Sequence, residues 1–438
     1  MAPILVFHTA GYRYNFKRNK LEKTGIIYIN SEPRNASIYI NNKYEAKTPA
    51  RFTYLLPDVY RIEVKKDGYY TWQKEIEVKS NLTTFAKNIV LFKKNLPINI
   101  VNGEINILAI SPNKEKIIYS TLSQDAEKIK LLNLTNNSEF SIKSFSRIGY
   151  NQLEFAGWSP DQNKVMLKQI IGDFNKYLII NIETLKLKEL FDITRLNFDK
   201  IEWDATDDNY LYGLRKSVLY QIDLINNTVS ALLAAEIRDF TIQNDEIYYI
   251  SELARESFLN KIIMANGQIA NSQKIKLPAP SEYTLQTLNI DYLALLDEKN
   301  DDLFIISNKS FDDEELIEDI ILQDKAKKIV WAKDLKKIIY YNDFEIWTFD
   351  LNNRQKNLVN RYGGLIEQTL WHPAEKYIIY QVENTIGAIE SNGQEIKNDI
   401  KIAELEKIDS IVIDNQGKNL YFKGKIGNQQ GIYKLEIQ

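Results

Sequence analysis

Alternation of apolar and polar residues in one stretch, a repeat averaging about 43 residues in the remainder, and no helical periodicity of useful length predict an all-β chain. The expected architecture is a small β-sandwich followed by an eight-bladed β-propeller, with seven blades as the alternative. The 438 residues then divide into an N-terminal segment at 1–24, the sandwich at 25–95 and the propeller at 96–438. Hydrophobic residues make up 44% and charged residues 26%, which excludes a disordered chain and a multi-span membrane protein. The lack of cysteine excludes disulfides, thiolate metal sites and a cysteine nucleophile. The two histidines, His8 and His372, are too far apart in sequence to suggest a histidine-rich metal site. A net charge of -3 gives no basic excess of the kind that nucleic acid demands. That total hides a split. Residues 1–95 hold 17 basic and 8 acidic side chains, and the remainder 39 basic and 51 acidic, so the two parts face different surroundings or are two ordinary solvated surfaces.

The chain opens with Ala2-Pro3-Ile4-Leu5-Val6-Phe7, far short of the roughly 20 apolar residues that cross a bilayer. It lacks the basic start, longer apolar core and cleavage site of a signal peptide. Arg13, Lys17, Arg18, Lys20 and Lys23 follow, opposed by Glu22 alone. Two expectations stand side by side: the end of a membrane anchor whose earlier part lies upstream, or an N-terminal strand or arm packed on the next domain.

From residue 25 the pattern has period two, the mark of half-buried strands. Ala36, Ile38 and Ile40 fall on one face; Ile62 and Val64 follow with Tyr60, then Ile76 and Val78. Asn41-Asn42, Pro57-Asp58 and Asp67-Gly68 supply turns between the runs. Ser31-Glu32-Pro33-Arg34-Asn35-Ala36 with Ser37–Asn41, then Thr48-Pro49, Leu55-Leu56-Pro57, Tyr60-Arg61-Ile62, Lys66-Asp67-Gly68-Tyr69 and Trp72, resembles a PEGA domain. Pro33 and Ala36 stand at the ends of that family's four-residue signature; Arg34-Asn35 within it and Asp58 in place of glycine depart from it. The resemblance implies a module of cell-envelope proteins with no catalytic residues to carry over. Tyr69, Tyr70 and Trp72 form either a stacking patch for a sugar or partner, or the filling of the small core and its rim.

The remainder repeats. Aligning Ile110, Trp158, Trp203, Ile242, Leu288, Trp331, Trp371 and Ile413 as the last apolar residue of a strand gives spacings of 48, 45, 39, 46, 43, 40 and 42. The next strand starts seven residues later in six copies, at Ile117, Val165, Tyr210, Ile338, Ile378 and Leu420. In the two weaker copies it starts five later, at Ile247 and Leu293, as a shorter hairpin requires. Two more strands follow in most copies, so each repeat has the content of a four-stranded blade. The last repeat holds three strands, and Leu96–Val101 is a strand without a repeat of its own. Pairing the two closes the ring and covers an exposed edge, with Pro97 tolerated on its outer side. Trp158-Ser159-Pro160-Asp161 and its relatives resemble the WD40-like propeller repeats of the periplasmic TolB family. Trp158, Trp203, Trp331 and Trp371 share one phase of the repeat, which packing between blades explains better than a carbohydrate site. His372 takes the serine position of the motif and is expected in a turn.

No serine-hydrolase elbow, phosphate loop, dinucleotide fingerprint or calcium loop occurs. The sequence ends at Gln438 inside a repeat, so the α/β-hydrolase domain that such propellers sometimes precede is not expected. Acidic runs at Asp297–Asp302 and Asp312–Asp319 are expected in turns or outer strands. The chain is therefore expected to be a non-enzymatic, monomeric binding or scaffold protein of the cell envelope, without catalytic residues, cofactor or metal. It would be extracytoplasmic, touching the membrane only through an upstream anchor. Its expected partners are an envelope protein or glycan on the propeller and an anionic envelope polymer at residues 1–95. The alternative is a propeller enzyme acting on sugars or peptides through carboxylates in its channel.

Overall fold

The computed structural model describes residues 7–148, 150, 152–265, 268–278, 280–289, 291–311, 320–391 and 397–438. Their regular structure is almost wholly strand; helix is confined to short turns such as Leu190–Thr194 and Asn308–Phe311. Two compact units emerge: residues 1–100 with 367–421 and 433–438, and residues 101–366 with 422–432. The sandwich shares its compact unit with residues 367–421 and 433–438.

The sandwich has one three-stranded sheet, Ala50–Leu55, Gly25–Glu32 and Thr83–Val90. Its other sheet is four-stranded: Lys43–Lys47, Ser37–Ile40, Val59–Lys65 and Trp72–Glu77. Gly25–Glu32 runs parallel to Thr83–Val90. The period-two pattern turns Ile27, Ile29, Ala36, Ile38, Ile62 and Val64 into a shared core. On Val59–Lys65, Glu63 stands between Ile62 and Val64 and is also buried, held by Arg61 at 2.8 Å and Lys65 at 2.5 Å. Ahead of the sandwich, Tyr12–Asn15 and Lys20–Lys23 form an antiparallel hairpin; residues 1–6 of the apolar opening lie outside the described residues.

Each of the eight repeats forms one four-stranded antiparallel sheet. The first runs Glu104–Ile110, Lys116–Leu122, Ala126–Asn133 and Glu139–Ser146. The second strands are apolar on both faces, and Ile117, Ile118 and Tyr119 are fully enclosed, as a strand covered on both sides requires. The fourth strands are mostly exposed and alternate. Ser159 explains the Ser-Pro-Asp turn: its Oγ donates to Asp161 at 2.5 Å and accepts the Lys164 N–H at 2.9 Å. In the fourth repeat Ile242 pairs directly with Ile247, with Asn244 in the left-handed region, so the shorter offset is a tighter hairpin. The eighth sheet has the order Ile98–Asn102, Gln429–Glu436, Asn419–Ile426, Lys407–Ile413. The orphan strand thus occupies the missing fourth place, as the pattern predicts.

Candidate binding faces and cavities

In the first compact unit the sandwich is fastened to the seventh repeat sheet. Trp72 is 2% exposed, sits in the sandwich core and donates from Nε1 to Glu390 Oε1 at 2.8 Å. Lys74 reaches the other oxygen of Glu390 at 3.2 Å. Phe92 meets Tyr377 edge to face with centroids 5.2 Å apart, and the Tyr377 hydroxyl accepts the Val90 N–H at 3.4 Å. Burial, then the nearby Glu390 charge, pushes the Tyr377 phenol well above its usual range. Burial also lowers Lys397, which Glu390 counteracts and Lys74 reinforces. Tyr69 packs against the sandwich core, and the Tyr70 hydroxyl donates to Ile402 O at 3.3 Å. The aromatic trio is thus spent on packing and fastening, not displayed as a stacking patch.

Beside this junction a cavity of about 500 Å³ opens between two edge strands of the sandwich, Trp72–Glu77 and Thr83–Val90. Lys79, Lys87 and Lys376 line it with Tyr377 and Glu390. In the second unit a larger cavity of about 840 Å³ is walled by Trp158, Trp203, Ile242 and Leu335, with Asp204, Asp291 and Asp334. Two of those carboxylates are also turn caps: Asp204 accepts the N–H of Thr206 at 2.9 Å and Asp207 at 3.0 Å, and Asp334 accepts that of Lys336 at 2.9 Å.

The four repeat-phase tryptophans are enclosed to different degrees. Trp158, Trp331 and Trp371 are buried, and Trp203 is half-buried with its ring against Gly157 of the preceding repeat. Packing between repeats accounts for their phase. His372 is buried in its turn, where Nδ1 accepts the Ala374 N–H at 3.2 Å. That leaves Nε2 to donate to Gly417 O, 3.2 Å away in the next repeat. Asp297 is buried, and hydrogen bonds from Ser281 and Asn300 outweigh burial and hold its carboxyl below the ordinary range. The Asp312–Asp319 run lies outside the described residues.

Two recurring polar features escape the repeat reading above. Three or four residues before the repeat marker, a polar side chain on the first strand bonds the backbone of the next repeat's first strand. Asn106 donates to Leu153 O at 2.8 Å, Lys200 to Phe240 O at 2.7 Å, and Asp239 accepts Leu285 N at 2.8 Å. Gln368 does both, donating to Ile411 O at 2.9 Å and accepting Ile411 N at 3.0 Å. Lys200 also pairs with Glu202 at 2.9 Å and Asp239 at 2.6 Å. Burial opposes its charge, but the two carboxylates outweigh burial and hold it above its ordinary range, while burial pushes Glu202 up. Nine residues after the marker stand Tyr119, Tyr212, Tyr340 and Tyr380, three of which donate to carboxylates: Glu139, Asp324 and Asp399. A polar residue at fixed phase in an apolar strand was the signal for both.

Comparison with known proteins bears on both parts. The PEGA domain model matches residues 24–95. No curated protein sequence matches the chain. Among solved structures, the crystal structure of the eukaryotic initiation factor is 13% identical, with a TM-score of 0.51 over 77% of this chain and 86% of that one. The Dos1 propeller is 12% identical, with a TM-score of 0.50 over 78% and 95%. Dipeptidyl peptidase 4 of Porphyromonas gingivalis is 12% identical, with a TM-score of 0.51 over 75% of this chain and 56% of that one. At such identities the shared property is the fold. A PEGA domain followed by a β-propeller is the architecture of this chain.

Proposed function

We propose that the protein is a non-catalytic binding or scaffold component of the cell envelope. The PEGA domain is the module next to wall or membrane, and the propeller is the platform for a protein or glycan. The observation that carries this reading is the fastening of Trp72 and Lys74 to Glu390, which makes the PEGA domain a fixed base for the seventh repeat sheet instead of a loose stalk. The occurrence of PEGA domains in envelope proteins supports the location. No helix among the described residues is long and apolar enough to cross a membrane.

The cavity of about 840 Å³ with Asp204, Asp291 and Asp334 favours a second reading, a propeller enzyme with carboxylates in its channel. The peptidase among the structural neighbours belongs to this reading. The turn bonds of Asp204 and Asp334 favour the scaffold, since those oxygens already hold backbone in place.

One experiment separates the two. The full chain is immobilised and exposed to envelope extract and to a glycan array, then incubated with peptide and oligosaccharide substrates. Specific retention without turnover is the expected result. Turnover abolished by Asp291→Asn would replace the scaffold by the enzyme, and no retention above a control propeller would remove the binding function.

A further inference from the structure

The hairpin ahead of the PEGA domain has two unlike faces. Its register pairs Tyr12 with Lys23, Arg13 with Glu22, Tyr14 with Leu21 and Asn15 with Lys20. Residues paired across two strands share a face, so Tyr12, Tyr14, Leu21 and Lys23 lie on one side and Arg13, Asn15, Lys20 and Glu22 on the other.

The second side is built for rigidity. Asn15 and Glu22 are buried and bonded at 2.5 Å, and Asn15 Oδ1 accepts the N–H groups of Lys17 at 3.0 Å and Arg18 at 3.2 Å, fixing the tip. Arg13 lies 4.4 Å above the Tyr54 ring of the sandwich, and Lys17 reaches Asp58 at 3.0 Å. Hydrogen bonds from Lys20 and Asn15 hold Glu22 ionised below its usual range.

The first side is aromatic and open to solvent. Phe16 is 84% exposed, Phe7 47%, Tyr14 46% and Leu21 45%. Two aromatic pairs stand along it: Phe7 packs edge to face on Tyr12 at 5.6 Å, with the Lys23 ammonium 5.6 Å above Tyr12, and Tyr14 packs on Phe16 at 5.0 Å. Lys17, Arg18 and Lys20 ring the tip with side chains 83%, 51% and 57% exposed. A rigid ribbon that exposes aromatic rings among cations matches the headgroup level of a bilayer, where rings settle at the interface and ammonium and guanidinium groups meet anionic lipids.

We propose that this hairpin docks on the surface of an anionic bilayer, with Phe16 and Tyr14 entering the headgroup region, and with Lys17 and Arg18 at the tip and Lys23 on the aromatic side meeting lipid phosphates. The proposal rests on the envelope reading only for the presence of a membrane nearby; it needs no ligand on the propeller.

The native chain has no cysteine, so Phe16→Cys offers a single site for an environment-sensitive dye, with Asn136→Cys on an exposed propeller turn as control. The labelled full chains are mixed with vesicles of phosphatidylcholine, alone or with an equal share of phosphatidylglycerol. Dye at position 16 is expected to shift blue only with the anionic vesicles, and dye at 136 not at all. In the unlabelled chain, co-sedimentation is expected to weaken about tenfold between roughly 0.1 M and 1 M salt. Phe16→Ser with Tyr14→Ser, and separately Lys17→Ser with Arg18→Ser, are each expected to lose most of it while circular dichroism stays native. Binding without a blue shift, displaced by soluble polyphosphate, would overturn the proposal in favour of a polyanion site. Equal binding to both vesicles, or by the variants, would overturn it as well. None of these results alters what the propeller retains from an extract, so the two readings fail independently.

Discussion

At residue 417 the backbone sits at φ +73°, and a Cβ there would lie 2.4 Å from His372 Nε2. Both the dihedral and the space belong to glycine. Gly417→Ala forces the buried imidazole out of its bond to the 417 carbonyl, and a loss of about 2–4 kcal/mol is expected from strain plus an unsatisfied ring nitrogen. Thermal unfolding measures it; a change below about 0.5 kcal/mol, the scale of an ordinary surface substitution, would refute the account. Glu390 is the second sensitive residue. Glu390→Ala takes the acceptor from Trp72 Nε1 and one carboxylate from Lys74, both largely enclosed. The expected cost is about 2–4 kcal/mol, with increased fluorescence quenching of Trp72 by a soluble quencher. His372 was readable as a turn residue because it replaces serine in a repeated motif. Its bond to Gly417 was not, because sequence gives no distance between a turn in one repeat and a turn in the next. Glu390 was invisible for the same reason: it is one acid among 59 until the fold places it beside Trp72.

At three places the strands of the repeat sheets build a device that ties stability to pH. Glu139, Glu246 and Asp324 each hold a lysine, Lys130 at 2.6 Å, Lys261 at 2.7 Å and Lys356 at 2.5 Å, and each accepts a buried tyrosine hydroxyl, from Tyr119, Tyr248 and Tyr340. Burial alone would raise these carboxyls, but the lysine and tyrosine hydrogen bonds outweigh it and leave them below their ordinary range. A depressed carboxyl stabilises the fold above its unfolded pKa of about 4 and loses that contribution as pH falls through the lower folded value. The tyrosines are raised, mainly by burial, so their contribution is full below their unfolded pKa of about 10 and declines above it. Through these groups the unfolding temperature is expected to drop on the acid side of about pH 4 and on the alkaline side of about pH 10, and a level profile down to about pH 3 would contradict it. Strand existence and spacing were legible because apolar runs and turn residues recur every 39 to 48 positions. The polar bonds were not, since their partners come from different strands: Glu139 lies on the fourth strand of its own sheet, whereas Asp324 lies on the fourth strand of the preceding sheet and reaches Tyr340 in the next.

For the whole molecule, the quantity that matters is the division of charge and not its total. Residues 1–95 carry 17 basic against 8 acidic groups, and 96–438 carry 39 against 51. Some of the basic excess is already matched locally, as Lys17 is by Asp58 and Lys74 by Glu390. Lys20 and Arg18 share the single buried Glu22, and their side chains remain more than half exposed. An extended surface responds to the charges within a Debye length of it, about 10 Å at 0.1 M salt and about 3 Å at 1 M, and not to those farther away. A protein of net charge -3 at pH 7 is therefore expected to bind a cation exchanger at low ionic strength as well as an anion exchanger, and to leave the former well before 1 M salt. Reversing Lys17, Arg18 and Lys20 to glutamate should abolish retention on the cation exchanger and strengthen it on the anion exchanger. If the native chain flows through the cation exchanger at low salt, the basic N-terminal part does not act as a separate electrostatic surface. Attraction of residues 1–95 to an anionic envelope polymer or bilayer would then have no physical basis.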